Sequence, residues 1–270
     1  MLAAILSSAL AVTAPFDHSA FDSLLRAHVT DGLVDYDAFA RSSGFRAYLA
    51  SLDGARLEGW GESERLAFWI NTYNAWTIEQ VNRHHERDSI RNIPRPLGLT
   101  PLQGPWSERM VRAAGRELTL DEIEHEIVRK EFEEPRIHFA LVCAALSCPP
   151  LRGEAYTGAR LEEQLDDQAR TFLLCSPGTN RVDAAAGTVW VSPIFVWYRG
   201  DFGGTDEALG RYLARYWPEG PERSLLLSGR FRLRETDYDW TLNSVEKGRP
   251  SSESRGCRPL VGVRSDAVDP

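Results

Sequence analysis

The chain has 270 residues, of which 43% are hydrophobic and 26% are charged. This balance is enough for one globular domain, or at most two, and it excludes disorder along the whole chain. The 31 basic residues are outnumbered by 39 acidic residues, so the net charge is -8. No stretch is dense in Lys and Arg, which argues against nucleic acid as a partner.

The N-terminal segment 2–14 is an apolar run of small and aliphatic residues. It is shorter than the roughly 20 residues of a transmembrane helix, so we expect no stable membrane anchor. Its length and its small residues are typical of a signal peptide over 1–14, which predicts a periplasmic or secreted protein. Because no positive charge precedes the run, a late start or a buried N-terminal helix stays open.

Between residues 15 and 243, apolar residues at three- and four-residue spacing predict a helix-rich body. The helices are predicted at 21–28, 36–52, 62–85, 120–132, 159–174 and 206–217. Strands are predicted at 137–143 and 230–234, with a hairpin at 181–191, and four prolines predict a loop at 92–106. We therefore expect a single helix-rich α+β domain with a small sheet, followed by a flexible tail at 244–270.

The helix predicted at 62–85 is apolar on nearly every side, which indicates a central buried helix. Asn71 and Asn74 lie three residues apart and share one face of it. A buried amide costs about 1 to 3 kcal/mol unless its hydrogen bonds are matched. The pair therefore predicts either a structural polar network or a ligand-binding site.

The next helix begins with Thr119, whose spacing to Glu122 is that of a capping box. Glu124 falls inside the apolar stripe of this helix and His125 lies on its flank. We therefore expect Glu124 to be at least partly buried. A buried carboxylate must be paired, hydrogen-bonded or protonated, so Glu124 is either held by an Arg or His partner or is a functional acid.

The segment 136–150 carries His138 and then two cysteines, Cys143 and Cys148, directly before two prolines. If 137–143 is a strand, His138 and Cys143 point to opposite faces because they are five residues apart. The prolines fix the backbone after Cys148. Cys148 is therefore the better thiol candidate.

The cysteines allow three interpretations. Cys143 and Cys148 could form a disulfide, with each other or with Cys175, if the protein is exported. A nucleophilic thiol activated by His138 or His125 is the second interpretation. A Cys and His metal site is the third, but the spacing matches no zinc template, so we predict no metal and no cofactor.

Two aromatic runs, at 195–202 and 238–243, each enclose an aspartate, Asp201 and Asp239. Packing in the core is the simpler explanation of such runs, because aromatic side chains bury large areas. Asp239 remains a candidate to orient a histidine.

Five segments together resemble the bacterial and plant family known as domain of unknown function 547. The segments are 67–78 (AFWINTYNAWTI), 118–129 (LTLDEIEHEIVR), 134–152 (EPRIHFALVCAALSCPPLR), 191–202 (VSPIFVWYRGDF) and 238–243 (YDWTLN). They occur in the order of the family and cover the body from about residue 20 to 243. The positions featured in the family's pattern are Asn71, Tyr73, Asn74, Glu124, His125, His138, Cys143, Cys148, Asp201, Asp239 and Asn243.

The resemblance implies no established activity. Some relatives carry the domain beside glutaredoxin-like modules, which suggests thiol or glutathione chemistry. A helix-rich α+β body with Cys, His and Asp also invites a fold-level comparison with papain-like and transglutaminase-like enzymes. In those enzymes, however, the nucleophile opens the central helix, whereas both candidate thiols come later here.

The leading prediction is an exported thiol-dependent enzyme of acyl transfer or amide hydrolysis that acts on a small molecule or peptide. The predicted catalytic residues are Cys148 as nucleophile, His138 or His125 as base, and Glu124 or Asp239 as the orienting acid. The predicted substrate-binding residues are Asn71, Tyr73, Asn74, Cys143, Asp201 and Asn243. The alternative is a non-catalytic envelope or ligand-binding module with disulfide-bonded cysteines.

Overall fold

The computed structural model describes residues 14–93, 104–176 and 178–248. Nearly all of the predicted signal peptide, most of the predicted loop at 92–106 and most of the predicted tail lie outside the described residues. The first residues of that tail join the body, since Ser244 forms a parallel bridge with Val34. No helix in the described part of the chain is long and apolar enough to cross a membrane.

The N-terminal quarter is a helical layer with one short hairpin. Its elements are α1 (Ser19–His28), β1 (Val29–Thr30), β2 (Leu33–Val34), α2 (Tyr36–Arg41) and α3 (Ser43–Asp53). The single helix predicted at 36–52 is therefore two helices. The backbone is extended at Ser42, whose side chain accepts a hydrogen bond from the N–H of Phe45 and so begins α3 as its N-cap.

The central helix α4 (Glu62–Arg83) confirms the helix predicted at 62–85. It is buried on nearly every side along its middle, and the α2, α3 and 122–128 segments all contact it. The two asparagines predicted to share one face are buried as well, with 1% of Asn71 and 3% of Asn74 exposed. The polar face predicted for this helix therefore lies inside the core.

The hairpin β3 (Val111–Ala113) and β4 (Arg116–Leu118) leads into the predicted capping box, which is confirmed. The N–H of Glu122 donates to Thr119 Oγ1 at 3.0 Å, and the N–H of Thr119 donates to Glu122 Oε2 at 2.9 Å. The following segment Glu122–Val128 is π-helical and continues into the short helix α5 (Arg129–Glu131). Because a π-helix turns more slowly than an α-helix, it presents neighbouring side chains at different angles.

The strand predicted at 137–143 is wrong. Residues Ile137–Ala140 form one helical turn, α6, and every residue of it is buried. A short apolar run does not distinguish a buried strand from a buried helical segment, which is why the pattern misled. The strand geometry that set His138 and Cys143 on opposite faces therefore does not apply.

The C-terminal half combines helices with a three-stranded sheet. Its elements are α7 (Leu161–Leu174), β5 (Arg181–Asp183), β6 (Thr188–Val191), α8 (Ile194–Trp197), α9 (Asp206–Ala214), α10 (Pro221–Ser228) and β7 (Arg232–Glu235). The hairpin predicted at 181–191 is confirmed, with Val182 opposite Val189. The strand predicted at 230–234 is also found, pairing in parallel with β6.

The core has two apolar clusters, and α6 lies where they meet. Ile137 and Ala140 belong to the larger cluster around α4, whereas Phe139 belongs to the smaller cluster around α7, α8 and α9. Tyr238 packs against both. The fold is therefore a helix-rich α+β single domain, and the segment with the predicted catalytic residues runs through the junction of its clusters.

Candidate functional site

The backbone before Cys143 is held by an asparagine of α4. The amide of Asn74 donates to the carbonyl oxygen of Ala140 at 2.9 Å and accepts from the N–H of Val142 at 2.9 Å. Both bonds are buried, so they hold the chain firmly between α6 and the first cysteine. Asn74 is thus part of a structural network that positions Cys143.

On its other side, the cysteine segment pairs with the aromatic segment near the C-terminus. The N–H of Leu146 donates to the carbonyl oxygen of Thr241 at 2.8 Å, and the N–H of Asn243 donates to that of Ala144 at 3.1 Å. Between these bonds Ala144 has a φ of 65°, in the left-handed region. A non-glycine residue there is strained, and such strain often occurs beside functional groups.

This backbone brings Cys143, Cys148 and Tyr238 together, and we call these three residues the thiol cluster. The two Sγ atoms are 2.6 Å apart and both cysteines are free thiols. The hydroxyl of Tyr238 lies 3.2 Å from Cys143 Sγ, and the N–H of Cys143 donates to Cys148 Sγ at 2.9 Å. Cys143 is partly exposed, whereas only 7% of Cys148 is exposed.

The two thiols differ in acidity. The pKa of Cys143 is lowered, above all by a hydrogen bond from the Cys148 thiol and further by the Tyr238 hydroxyl and the N–H of Ala145. The pKa of Cys148 is raised well above its usual value, mainly by burial and then by its contact with Cys143. Cys143 is therefore the more acidic thiol of the pair, and Cys148 donates the hydrogen bond between them. This is the reverse of the preference that we drew from the sequence.

A second group, which we call the histidine cluster, contains His125, Arg129, His138 and Asp201. Arg129 makes two hydrogen bonds to the Asp201 carboxylate, from Nε at 2.7 Å and from Nη2 at 2.9 Å. His138 Nε2 is 2.7 Å from the same carboxylate. Arg129 Nη1 lies 3.2 Å from His125 Nδ1, which must accept because a guanidinium only donates.

Both histidines predicted as bases thus have charged partners of their own. Hydrogen bonds from Arg129 and His138 lower the pKa of Asp201 to about 2. Burial lowers the pKa of His138 and outweighs the effect of Asp201, so its ring is neutral at pH 7. The hydrogen bonds of the described residues include none from either histidine to either cysteine.

Glu124 lies between the two clusters and is buried as predicted, with 8% exposed. Its Oε2 accepts a hydrogen bond from the Tyr73 hydroxyl at 3.2 Å, and Tyr198 also hydrogen-bonds to this carboxylate. The Tyr198 ring stacks on His138 with 3.9 Å between centroids. Tyr198 therefore connects the buried acid to the histidine cluster.

Three of the predicted site residues form hydrogen bonds that hold the fold together. Asp239 is exposed, and its carboxylate accepts from the N–H of Thr241 at 2.9 Å rather than orienting a histidine. Asn243 accepts a hydrogen bond from the Tyr36 hydroxyl. Asn71 binds both backbone groups of Tyr156, as donor at 2.7 Å and as acceptor at 2.9 Å.

Arg129, Tyr198 and Tyr238 lie in these clusters but were not predicted as site residues. A signal was present for Arg129, which lies four residues after His125 and therefore close to it on a helix. The two tyrosines belong to aromatic runs that core packing explained equally well.

Two features of the surroundings concern the binding of metal ions and other ligands. No group of three or more His, Cys, Asp and Glu side chains in the described residues could hold a metal ion. A cleft of about 250 Å³ borders Arg129 and Asp201 and is also lined by Glu133 and Glu134. The thiol cluster is not part of its lining.

Comparison with protein families gives one match. The family described as "Protein of unknown function, DUF547" matches residues 57–173. The matched region contains α4, Glu124, His138 and both thiols, whereas Asp201 and Tyr238 lie beyond it. No curated protein and no solved structure matches the chain.

Proposed function

We propose that this protein, which carries a DUF547 domain over residues 57–173, is an enzyme of thiol–disulfide exchange. In this proposal Cys143 is the attacking thiol and Cys148 the resolving thiol. The observation that carries the proposal is the contact of 2.6 Å between their sulfurs. A disulfide bond is about 2.05 Å long, so the pair is close to bonding distance.

The difference between the two thiols suits the two steps of this reaction. The thiolate is the attacking species, and attack requires access. Cys143 has the lowered pKa and is partly exposed, whereas Cys148 is protonated and buried. Cys143 therefore meets the substrate first, and Cys148 acts within the protein.

The reaction consists of two thiol–disulfide exchanges. The Cys143 thiolate attacks one sulfur of a substrate disulfide, forms a mixed disulfide and releases the other substrate sulfur as a thiolate. Cys148 then loses its proton to solvent and attacks Cys143 Sγ, which forms the Cys143–Cys148 disulfide and releases the second substrate thiolate. The substrate disulfide is reduced and the protein dithiol is oxidised, so an external dithiol must reduce the protein again.

Tyr238 supports both steps. Its hydroxyl hydrogen-bonds to each thiol and favours the charged form of each. Burial raises the pKa of Tyr238 far above its usual value, so the phenol stays protonated and remains a donor. It can therefore stabilise the Cys143 thiolate before attack and the Cys148 thiolate during resolution.

Acyl transfer or amide hydrolysis at Cys143 is the second candidate. Its candidate base is Glu124, a buried carboxylate near Cys143, whose charge raises the pKa of that thiol. Against it stand the histidines, which bind Asp201 and Arg129 instead of a thiol.

The predicted export of the chain is compatible with both candidates. In an exported protein the two thiols would meet disulfide-containing proteins, which are common outside the cytosol. The same location suits the alternative of a non-catalytic module in which Cys143 and Cys148 form a permanent disulfide.

The test uses the reduced full-length protein and bis(2-hydroxyethyl) disulfide, followed by mass spectrometry. We expect the wild type to end with a Cys143–Cys148 disulfide after releasing two small thiols. Cys148→Ser should stop at a mixed disulfide on Cys143, and Cys143→Ser should not react at this pair. The two variants control each other, since each retains one sulfur of the cluster.

Two results would contradict the proposal. Equal behaviour of the wild type and Cys148→Ser, with rapid thioester formation from an activated ester in both, would favour acyl transfer. A Cys143–Cys148 disulfide that dithiothreitol reduces only after the protein unfolds would favour the non-catalytic module.

A further inference from the structure

An aromatic surface adjoins the thiol cluster. It consists of Trp197, at the end of α8, and of Tyr238 and Trp240, which follow β7. The ring centroids are 4.9 Å apart for Trp197 and Tyr238, 4.5 Å for Tyr238 and Trp240, and 5.9 Å for the two tryptophans. We call these three residues the aromatic platform.

The platform is open to solvent, unlike most aromatic groups of the protein. Trp197 is 49% exposed, and the described residues include only two other exposed large apolar side chains, Leu227 and Val245. Trp240 and Tyr238 are partly exposed. Exposed apolar side chains that cluster rather than scatter mark binding sites.

Tyr238 connects this surface directly to the thiol. Its ring packs against both tryptophans, while its hydroxyl is 3.2 Å from Cys143 Sγ. A group that stacks on the platform is therefore separated from the attacking sulfur by the Tyr238 side chain. The platform is in a position to hold the part of a substrate next to its disulfide.

The charges around the platform favour a cationic ligand. Asp237 and Asp239 flank Tyr238 in the chain, and both are exposed. Among the described residues, the Arg91 guanidinium stacks on Trp240, with 5.1 Å between its central carbon and the ring centroid. The chain as a whole has a net charge of -8. A small anionic disulfide such as glutathione disulfide is therefore a poor match, because like charges repel.

We infer that the aromatic platform binds a polypeptide segment in which an aromatic or large aliphatic side chain and a basic side chain adjoin a disulfide-bonded cysteine. The apolar side chain stacks on Trp197, the basic side chain lies near Asp237 and Asp239, and the disulfide meets Cys143. This inference rests on the proposed function and names its substrate class.

The test measures second-order rate constants for single-turnover reaction of the reduced protein with small peptides. The first peptide is Lys-Trp-Cys-Gly-Lys, with its cysteine in a mixed disulfide with 2-mercaptoethanol. The second has Ser in place of Trp, and the third has Glu in place of both Lys residues. Bis(2-hydroxyethyl) disulfide and glutathione disulfide are the small comparison substrates.

We expect the first peptide to react on the order of tenfold faster than the second, because the indole stacks on the platform. Trp197→Ala should lower the ratio of the rate constants for the first peptide and bis(2-hydroxyethyl) disulfide by about the same factor. Trp197→Phe should restore part of it. Trp190→Ala is the matched control, since this tryptophan lies in β6 against Arg181, and it should leave the ratio unchanged.

Equal rate constants for the first two peptides, or an unchanged ratio in Trp197→Ala, would overturn the inference and leave the proposed function intact. A preference for the Glu peptide or for glutathione disulfide would overturn it as well, because the platform would then favour anions. Failure of the proposed function looks different, since the wild type would then form neither a mixed disulfide on Cys143 nor the Cys143–Cys148 disulfide with any of the five substrates.

Discussion

The thiol cluster and the histidine cluster both take residues from the segment 125–148 and each adds one residue from farther along the chain, Tyr238 or Asp201, yet they are built differently. In the histidine cluster every charge has a partner at hydrogen-bond distance, with Asp201 held by both Arg129 and His138. In the thiol cluster two nucleophilic atoms face each other, and the backbone beside them is strained at Ala144. One cluster uses its polar groups to fix the fold, while the other places two nucleophilic sulfurs in contact with each other.

The difference shows why residue type alone does not define a catalytic site. The two clusters together contain Cys, His and Asp, as an acyl-transfer enzyme would require. Their contacts place them in separate groups, because the histidines contact Asp201 and Arg129 while the thiols contact each other. The experiments below test whether this division holds in solution.

The largest expected effect comes from replacing Asn71 or Asn74 of α4, and it distinguishes the roles of these two asparagines. Asn71→Leu and Asn74→Leu should each lower the free energy of unfolding by about 3 kcal/mol, since each leaves two buried backbone groups without a partner. Only Asn74 holds the backbone before Cys143, so only Asn74→Leu should change the rate of Cys143 alkylation. Urea denaturation and site-resolved alkylation at pH 7 measure the two quantities.

The two variants are matched in chemistry and burial, so each is the control for the other. An equal change in alkylation rate would mean that the thiol responds to general loosening of the core. A loss of stability below about 0.5 kcal/mol would show that the amide networks contribute little.

The second experiment breaks the histidine cluster and leaves the thiols intact. Asp201→Asn removes the charge that pairs with Arg129 and should lower the free energy of unfolding at pH 7 by about 2 kcal/mol, a value reduced by the partial exposure of Asp201. The pH profile of Cys143 alkylation should stay unchanged. Asp239→Asn is the control, since its exposed carboxylate accepts only a local backbone bond, and it should cost less than about 0.5 kcal/mol.

If the pH profile of Cys143 alkylation shifts in Asp201→Asn, the two clusters form one site, as the predicted pairing of a histidine with a thiol requires. If His138→Gln shifts the profile by the same amount, His138 is that histidine.

The sequence predicted the framework of this site better than its contacts. The period of the apolar residues was enough to place α4 and its buried asparagines, and the spacing of Thr119 and Glu122 placed the capping box. These features depend on neighbours along the chain. The pairing of His138 with Asp201 instead of Asp239 depends on how α8 and the following turn pack, which no local pattern encodes.

Two local irregularities account for other differences. The π-helical segment Glu122–Val128 changes the angles at which Glu124 and His125 project, and the apolar period did not indicate it. The helical turn α6 replaced a predicted strand, so the argument that assigned the thiol role to Cys148 lost its geometric basis. Cys143 and Cys148 were predicted as a possible disulfide pair. Which of the two attacks first depends on burial, which raises the pKa of Cys148.

The third experiment measures how the stability that Asp201 contributes to the histidine cluster depends on pH. The pKa of Asp201 is about 2 in the folded protein and near 3.8 when unperturbed, so its contribution is complete above the higher value and is lost as pH falls through the lower one. The stability gap between the wild type and Asp201→Asn should therefore narrow between pH 4 and pH 2. Thermal unfolding at intervals in this pH range measures the stability difference. A constant difference would mean that the ionisation of Asp201 does not stabilise the fold.

The smallest effect concerns the tyrosine that touches the thiols. Tyr238→Phe removes one of the donors that lower the pKa of Cys143, so that pKa should rise and the thiolate fraction at pH 7 should fall. A rise of about half a unit reduces the alkylation rate at pH 7 roughly threefold, while the rate above the pKa of the thiol stays nearly the same. Tyr198→Phe is the matched control, because its hydroxyl binds Glu124 rather than a sulfur. Equal slowing in both variants would place the buried acid, and not the Tyr238 hydroxyl, in control of the thiol. A Tyr238→Phe rate that matches the wild type at every pH would leave Cys148 as the principal donor to the Cys143 thiolate, and the thiol cluster would then depend on its two sulfurs.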